Sequence, residues 1–179
     1  TLTLASAAGI GATGTADDLD LAATTIVASD SGTGSIYLAE TDGVAIGATS
    51  TTSGALSIIA GDAVTTSGNI SASGGSLALK GDGLTNSNTI TGDANGITLD
   101  ASTGTLTSSA GTISNGGSAG AISLAADTDI VLTGGAGSIS AGSGDVTLKD
   151  SAGSITMALA GGSGTIAIAD ADLDEITTT

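Results

Sequence analysis

Cysteine, proline, histidine, arginine, tryptophan and phenylalanine are all absent from this 179-residue chain, and Tyr37 is its single aromatic residue. Without cysteine, no disulfide can cross-link the chain. Without large aromatic side chains a wide globular core is hard to fill, so we expect a narrow interior packed by Leu, Ile, Val and Ala. The absence of proline favours internal strands with neighbours on both sides, because proline cannot donate a ladder hydrogen bond.

Positive charge is also scarce. Lys80 and Lys149 stand against 18 carboxylates, which gives a formal net charge of −16. Binding of nucleic acid requires clustered Lys or Arg to neutralise phosphates, and anionic lipid attracts basic surfaces. No apolar run approaches the roughly 18 residues of a membrane helix. We therefore expect no nucleic-acid partner and no membrane insertion, and we interpret the acidity as a repulsive, soluble surface.

What the chain does contain is a repeated pair of aliphatic residues separated by one other residue. The pairs recur at intervals of 17 to 25 residues. Such alternation is typical of a strand that buries one face, and a period near 20 residues predicts stacked β-coils. The nine pairs are Leu2-Thr3-Leu4, Leu19-Asp20-Leu21, Ile36-Tyr37-Leu38, Leu56-Ser57-Ile58, Leu77-Ala78-Leu79, Ile97-Thr98-Leu99, Ile122-Ser123-Leu124, Val146-Thr147-Leu148 and Ile166-Ala167-Ile168.

A second, weaker aliphatic position follows most pairs, and corners rich in Gly, Asp, Asn and Ser separate the two. Glycine permits tight bends, and the short polar side chains bond to the local backbone. We predict an all-β solenoid of about nine coils of ~20 residues, with a rise of about 4.8 Å per coil. Residues 1–169 form one continuous solenoid in this prediction, and residues 170–179 form an acidic last partial coil or linker.

The two lysines occupy matching positions in the repeat. Lys80 and Lys149 each follow an aliphatic pair directly, in the position that Asp100 holds after Leu99. If successive coils stack in register, Lys80 faces Asp100 on the next coil. An exposed ion pair of this kind contributes roughly 0–1 kcal/mol, so it fixes register more than it adds stability.

The segment from Asn95-Gly96-Ile97-Thr98-Leu99 to Leu106 resembles the repeats of bacterial filamentous-haemagglutinin-like and autotransporter-like adhesins, and the segment from Ser138 to Leu148 is similar. The resemblance extends over essentially the whole chain. It implies a right-handed parallel β-helix, an extracellular or cell-surface location, and a stalk or adhesive fibre role. It also implies a surface receptor or a glycan as partner.

One acidic segment is a candidate metal site. Asp170-Ala171-Asp172-Leu173-Asp174-Glu175 places four acids within six residues. On an extended strand, alternation would place Asp170, Asp172 and Asp174 on one face, and carboxylate oxygens are the ligands that Ca²⁺ prefers. The segment lacks the glycine and the spaced glutamate of an EF-hand loop. A calcium site is therefore one interpretation, and a polar end to the solenoid is the other.

Catalytic candidates are limited to carboxylates. Asp127 with Asp129, or Asp17-Asp18 with Asp20, could form a general acid–base pair of the kind that cleaves polysaccharides. No histidine, arginine or tryptophan accompanies them, and Asp is common in turns. We therefore expect no enzyme and no obligatory cofactor.

The main hypothesis is a non-enzymatic structural protein, a subunit or segment of an extracellular fibre or cell-surface adhesin, and we expect the chain to be part of a longer protein. Open coil ends present unpaired backbone groups, which predicts end-to-end self-association into a filament. The alternatives are a calcium-stiffened binding module and a polysaccharide-acting β-helix enzyme.

Overall fold

A computed structural model describes residues 1–14, 18–153, 157–159 and 166–178. In this part of the chain the secondary structure consists of short strands and one four-residue helix. The strands are β1 (Leu2–Ser6), β2 (Leu19–Leu21), β3 (Thr25–Asp30), β4 (Ile36–Glu40), β5 (Val44–Ile46), β6 (Thr49–Thr51), β7 (Leu56–Ala60), β8 (Val64–Thr66), β9 (Ile70–Ala72), β10 (Leu77–Lys80), β11 (Leu84–Asn86), β12 (Ile90–Thr91), β13 (Ile97–Asp100), β14 (Thr105–Ser108), β15 (Ile113–Ser114), β16 (Ile122–Ala126), β17 (Asp129–Leu132), β18 (Ile139–Ser140), β19 (Val146–Asp150), β20 (Met157–Leu159), β21 (Ile166–Ile168) and β22 (Ile176–Thr177).

The strands stack in parallel to form three faces. The front sheet contains β2, β4, β7, β10, β13, β16 and β19. A 13-stranded sheet supplies the other two faces, because β3 turns a corner: Thr25 and Ile26 pair with β5, whereas Ser29 and Asp30 pair with β6. We call β5, β8, β11, β14 and β17 the second face, and β6, β9, β12, β15, β18 and β22 the third face. The fold is a parallel β-solenoid, as predicted.

The repeated aliphatic pair marks the layers of the front sheet. Leu56 lies in register with Ile36, Leu77 with Leu56 and Ile97 with Leu77, and the register continues through β16 and β19. These strands bury the two aliphatic residues of each pair from β4 to β16 and leave the residue between them at the surface. The predicted inward alternation is confirmed.

Seven of the nine pairs occupy the front sheet, so the solenoid has about seven coils and the expected number of nine was too high. Leu2 and Leu4 pair with β3 in the 13-stranded sheet, and β21 pairs with β20. The reason is that every face of the solenoid has the same alternation. An aliphatic pair at either end therefore gives no sign of which face it belongs to.

The core consists of aliphatic columns that run along the solenoid axis. On the second face Val44, Val64, Leu84, Leu106 and Ile130 stack in register, and on the third face Ile70, Ile90, Ile113, Ile139 and Ile176 do the same. Most of these side chains are fully buried. Burial of one such side chain contributes about 1.5–3 kcal/mol, so many thin layers replace one wide core.

The first coil departs from the regular pattern. Ile10 forms a bridge with Ile36, and Leu19 pairs with Leu38, two residues further along β4 than equal coils would place it. Ile36 and Leu38 are separated by one residue, whereas eight residues separate Ile10 from Leu19, so the described residues 11–14 and 18 belong to an insertion in this strand position of the front sheet. Insertions of this kind map to loops on one face of a solenoid.

Tight corners let the backbones of successive coils touch. A Cβ atom added at Gly54 would lie 1.9 Å from the carbonyl oxygen of Gly34 in the coil below. Any larger residue there would push two coils apart, which explains the glycine at this corner. The helix α1 spans Asp170–Leu173, and no helix in the described ranges is long and apolar enough to cross a bilayer.

Candidate functional site

Residues 169–177 lie against the C-terminal end of the solenoid, and we call them the C-terminal cap. The cap contains α1 and β22. Ile176 pairs with Ile139 and Thr177 with Ser140, so β22 adds one strand to the third face. The helix contacts β17 on the second face. The cap therefore lies across the edges of two faces.

Two buried carboxylates attach the cap to the solenoid. Asp172 is 9 % exposed, and its Oδ1 accepts a hydrogen bond from the backbone N–H of Leu132 at 3.0 Å. Glu175 is 7 % exposed, and its Oε1 accepts from the N–H of Gly135 at 2.8 Å while its Oε2 accepts from the hydroxyl of Ser138 at 2.5 Å. Leu132 ends β17, which is the last strand of the second face in the described ranges, so these backbone donors need another acceptor. The carboxylates satisfy them instead.

The candidate calcium ligands take different positions in the cap. Asp172 faces the solenoid, whereas Asp170 and Asp174 are exposed. The segment forms a helical turn, with the N–H of Asp174 donating to the carbonyl of Asp170 at 3.2 Å, so the alternation expected for an extended strand does not apply. Within the described ranges, no group of three or more acidic side chains is arranged to hold a metal ion. Calcium binding by Asp170, Asp172 and Asp174 stays a prediction.

A second group of acids lies where the front sheet ends and the chain turns toward the second face. It consists of Asp100, Asp127 and Asp150, and we call it the acidic corner. Lys80 Nζ lies 3.2 Å from Asp100 Oδ2, with Lys80 and Asp100 paired in register, which confirms the predicted contact. The Ser151 hydroxyl donates to Asp100 Oδ1 at 2.5 Å. Burial raises the pKa of Asp100. The hydrogen bonds from Ser151 and Ser102 and the charge of Lys80 lower the pKa by more than burial raises it, so the pKa lies below its ordinary value.

Asp127 and Asp150 form a carboxyl pair in the same corner. The backbone N–H of Ala152 donates to Asp127 Oδ1 at 2.9 Å and to Asp150 Oδ1 at 3.0 Å. A hydrogen bond between the two carboxyl groups raises the pKa of Asp127, because one proton shared between them relieves the repulsion of two like charges. Shared protons also occur at the active sites of some acid–base enzymes, and an acid–base role for Asp127 stays a prediction.

The other catalytic candidates are Asp129 and the group Asp17, Asp18 and Asp20. Asp129 lies in β17, and its Oδ1 accepts from the N–H of Ile130 at 3.0 Å, whereas the carboxyl that raises the pKa of Asp127 is that of Asp150. Asp17 lies outside the described residues. Asp18 is half-buried beside the insertion, and Asp20 is exposed on β2 in register with Ala39. An acid–base function for these residues stays a prediction.

The sequence analysis missed two buried carboxylates near the N-terminal end. Asp30 Oδ2 accepts from the N–H of Gly9 at 2.7 Å, and its Oδ1 accepts from the N–H groups of Gly32 and Gly34 at 3.0 and 3.1 Å. Glu40 accepts from the N–H groups of Ala23 and Asp42, both at 2.7 Å. Each acid lies two positions after a buried aliphatic residue in the same strand. Strict alternation therefore predicts an inward side chain, and this was the signal in the sequence.

The sequence analysis also did not predict a ladder of buried polar side chains on successive coils. Thr66 donates to Asn86 Oδ1 at 2.9 Å, and Asn86 Nδ2 donates to the Ser108 hydroxyl at 3.3 Å. The three residues occupy one corner in three successive coils. The ladder connects coils through side chains in addition to the backbone.

No protein-family model matches the chain, and no curated protein or solved structure shows significant similarity to it. The adhesin resemblance therefore depends on the pattern of residues alone.

Proposed function

We propose that this chain is a non-enzymatic structural segment of an extracellular fibre or cell-surface adhesin, in which the solenoid serves as a rigid spacer. The observation that supports this role is the register of the front sheet, which continues from β4 to β19 with equivalent residues in every layer. A rod built from equivalent layers resists bending and stretching through its backbone ladders. Its length depends only on the number of coils.

The surface charge suits this role. Of the 18 carboxylates, those at the acidic corner and Asp42, Asp62 and Asp82 lie at the surface, the last three in successive coils. Repulsion between such surfaces keeps neighbouring rods apart and in solution. The adhesin resemblance supports the same location and role, and a surface receptor or glycan is then the partner at the end or side of the rod.

End-to-end association belongs to this proposal, and the C-terminal cap sets a condition for it. Asp172 and Glu175 accept hydrogen bonds from Leu132 and Gly135, which are backbone donors that a further coil would use. A neighbouring copy must therefore displace the cap before it can pair with the second and third faces. We expect the intact chain to form separate rods and a chain without the cap to associate.

Electron microscopy and light scattering test this role directly. The intact chain and a variant lacking residues 169–179 are compared at matched concentrations. We expect short separate rods for the intact chain and longer filaments for the variant. A matched control carries Asp174→Ala, which leaves Asp172 and Glu175 in place. Compact particles in all samples would refute the spacer, and separate rods from the truncated chain would refute end-to-end association.

The location is tested on cells that express the natural protein. Antibodies raised against the folded chain should label intact cells or their shed fibres. Labelling that requires permeabilisation would overturn the extracellular assignment.

A further inference from the structure

A cleft of about 130 Å³ opens on the outer surface of the front sheet. Its walls include Tyr37 and Ser57, which are neighbours in register on β4 and β7, together with Ile59 on β7. The insertion of the first coil forms the opposite wall through Ala12, Gly14 and Asp18. The buried side of β4 lies beneath, so the cleft has a rigid floor and a loop wall.

Three unusual features of the chain meet at this cleft. Tyr37 is its single aromatic residue. Ile59 is 42 % exposed, which is more than any other large aliphatic side chain of the described strands. The wall opposite them is the insertion, which interrupts a strand of the front sheet. Elsewhere the front sheet presents Ala78, Thr98 and small polar residues at the surface positions that correspond to Tyr37.

The chemistry of the walls restricts the ligand. An aromatic ring and an aliphatic side chain provide an apolar surface, and Ser57 and Asp18 provide a hydroxyl group and a carboxylate acceptor. The net charge of −16 disfavours an anionic ligand. Drug-sized ligands occupy pockets of about 300–1,000 Å³, so this smaller cleft admits a single ring. A molecule that combines apolar C–H faces, hydroxyl donors and no negative charge fits these restrictions.

We propose that this cleft binds one neutral sugar ring of a glycan. The C–H face of the sugar packs against Tyr37 and Ile59, its hydroxyl groups donate to the Asp18 carboxylate, and Ser57 can donate or accept. The proposal rests on the proposed function for the glycan as partner and deepens it, since it assigns the recognition site to the side of the rod near its first complete coil. It also gives a reason for an aromatic residue on a surface otherwise made of small side chains.

Tyrosine fluorescence offers a direct test, because Tyr37 is the only fluorophore in the chain. The intact chain is titrated with the methyl glycosides of glucose, galactose, mannose and N-acetylglucosamine at millimolar concentrations, with glucuronic acid as the anionic comparison. We expect at least one neutral sugar to change the Tyr37 emission in a saturable way and glucuronic acid to bind more weakly. A chain that responds to none of the neutral sugars would overturn the proposal.

Variants locate the binding. Saturation-transfer NMR on the responding sugar is used for all of them, because Tyr37→Ser removes the fluorophore. We expect Tyr37→Ser and Ile59→Ser to weaken binding by about tenfold each, in line with about 1.4 kcal/mol per decade of affinity. Thr147→Ser is the matched control, since Thr147 lies further along the same outer column. Equal weakening by the control would refute the site.

A binding surface for protein is the competing explanation of an exposed Tyr and Ile. Cross-linking of the intact chain to itself through Tyr37, with no sugar response, would overturn the sugar site in favour of a contact between copies. The result is independent of the spacer role, because rod shape and filament formation are measured by microscopy on the same samples without sugar.

Discussion

The middle coils and the two ends of this solenoid solve different problems with different side chains. In the middle, from β7 to β16, each strand has a neighbour above and below, and most inward positions hold aliphatic side chains, with the ladder of Thr66, Asn86 and Ser108 as a polar exception. Near the ends, backbone donors outside the strands, such as those of Gly9, Ala23 and Gly135, need another partner. All four buried carboxylates of the described residues, Asp30, Glu40, Asp172 and Glu175, lie in the first complete coils or in the C-terminal cap.

The difference indicates that carboxylates are buried in this fold where backbone N–H groups without a strand partner can donate hydrogen bonds to them. Where Glu40 stands in β4, the next coil has Ala60 at the same inward position. A carboxylate at such a middle position would find its backbone donors already paired and would remain buried without partners, which is costly. The middle coils can therefore repeat similar aliphatic side chains, whereas the ends require polar side chains that accept hydrogen bonds from backbone N–H groups.

The largest effect should come from shortening a side chain in the middle. Leu99 is fully buried on β13, and Leu148 occupies the same column on β19 but is half-buried. We expect Leu99→Ala to lower the free energy of unfolding by about 2–5 kcal/mol, because the neighbouring coils cannot close the cavity. Leu148→Ala should lower it less. Urea unfolding followed by circular dichroism measures both, and equal losses would remove the distinction between middle and end.

The next effect concerns the cap. Asp172→Ala leaves the N–H groups of Leu132 and Ala169 without their acceptor. We expect a loss of about 1–3 kcal/mol, together with faster amide hydrogen exchange at Leu132. Asp174→Ala serves as the control because Asp174 is exposed on the same segment. If the amide of Leu132 exchanges in both variants at the rate found in the intact chain, the cap does not protect the edge of the second face.

A smaller, pH-dependent effect is expected at the acidic corner. The pKa of Asp127 is raised above its ordinary value of 3.8. The folded state therefore holds this proton more tightly, and the associated stability is full below the ordinary pKa and is lost as pH rises through the folded pKa. Asp127→Asn should remove that loss. Melting temperatures measured from about pH 4 to about pH 7 should fall with pH more steeply in the unaltered chain than in the variant.

Asp129→Asn is the control for that experiment, since Asp129 bonds to its own neighbour Ile130. Asp100 has a lowered pKa, so its contribution is present above the ordinary value and is lost only at more acidic pH. Parallel pH curves for Asp127→Asn and the unaltered chain would contradict the shared proton.

The smallest effect belongs to the single ion pair found in the described ranges. Lys80 is 49 % exposed, so solvent screens its attraction to Asp100. We expect Lys80→Ala to cost about 0.5 kcal/mol or less at low salt and nothing measurable at high salt. Lys149→Ala is the control, because Ala125 occupies the neighbouring position in its column. A cost above about 2 kcal/mol would show that this pair stabilises the fold far more than an exposed ion pair does.

The sequence predicted the middle of the fold well because repetition is visible in one dimension. Alternation around Leu56 and Leu77 established which side chains point inward, and the spacing placed Lys80 opposite Asp100. It failed at the ends, where Leu2 and Ile166 repeat the same local pattern on other faces. Local periodicity cannot distinguish equivalent faces, so the number of coils was too high.

The candidate sites were harder to predict than the fold. The cluster from Asp170 to Glu175 was visible, but which of its acids are buried depends on backbone donors about 40 residues away. The partner of Asp127 was not predicted either, because Asp150 is the last residue of β19, one coil further on and in register with Ala126. The cleft beside Tyr37 has Ala12, Gly14 and Asp18 as its opposite wall, which no spacing between aliphatic residues reveals.

The two carboxylate contacts of the cap have a mechanical consequence. Asp172 and Leu132, and likewise Glu175 and Gly135, are separated by 40 residues, which is twice the length of an ordinary coil. A chain pulled from its C-terminus must break these contacts before its last turns come free. The strands between these residues stay paired after the rupture, β18 with β15 and β19 with β16. The first rupture should therefore release little more than the cap, whereas each later coil of about 20 residues should release roughly 70 Å, at about 3.4 Å per residue. A force–extension trace would begin with a step shorter than the later ones.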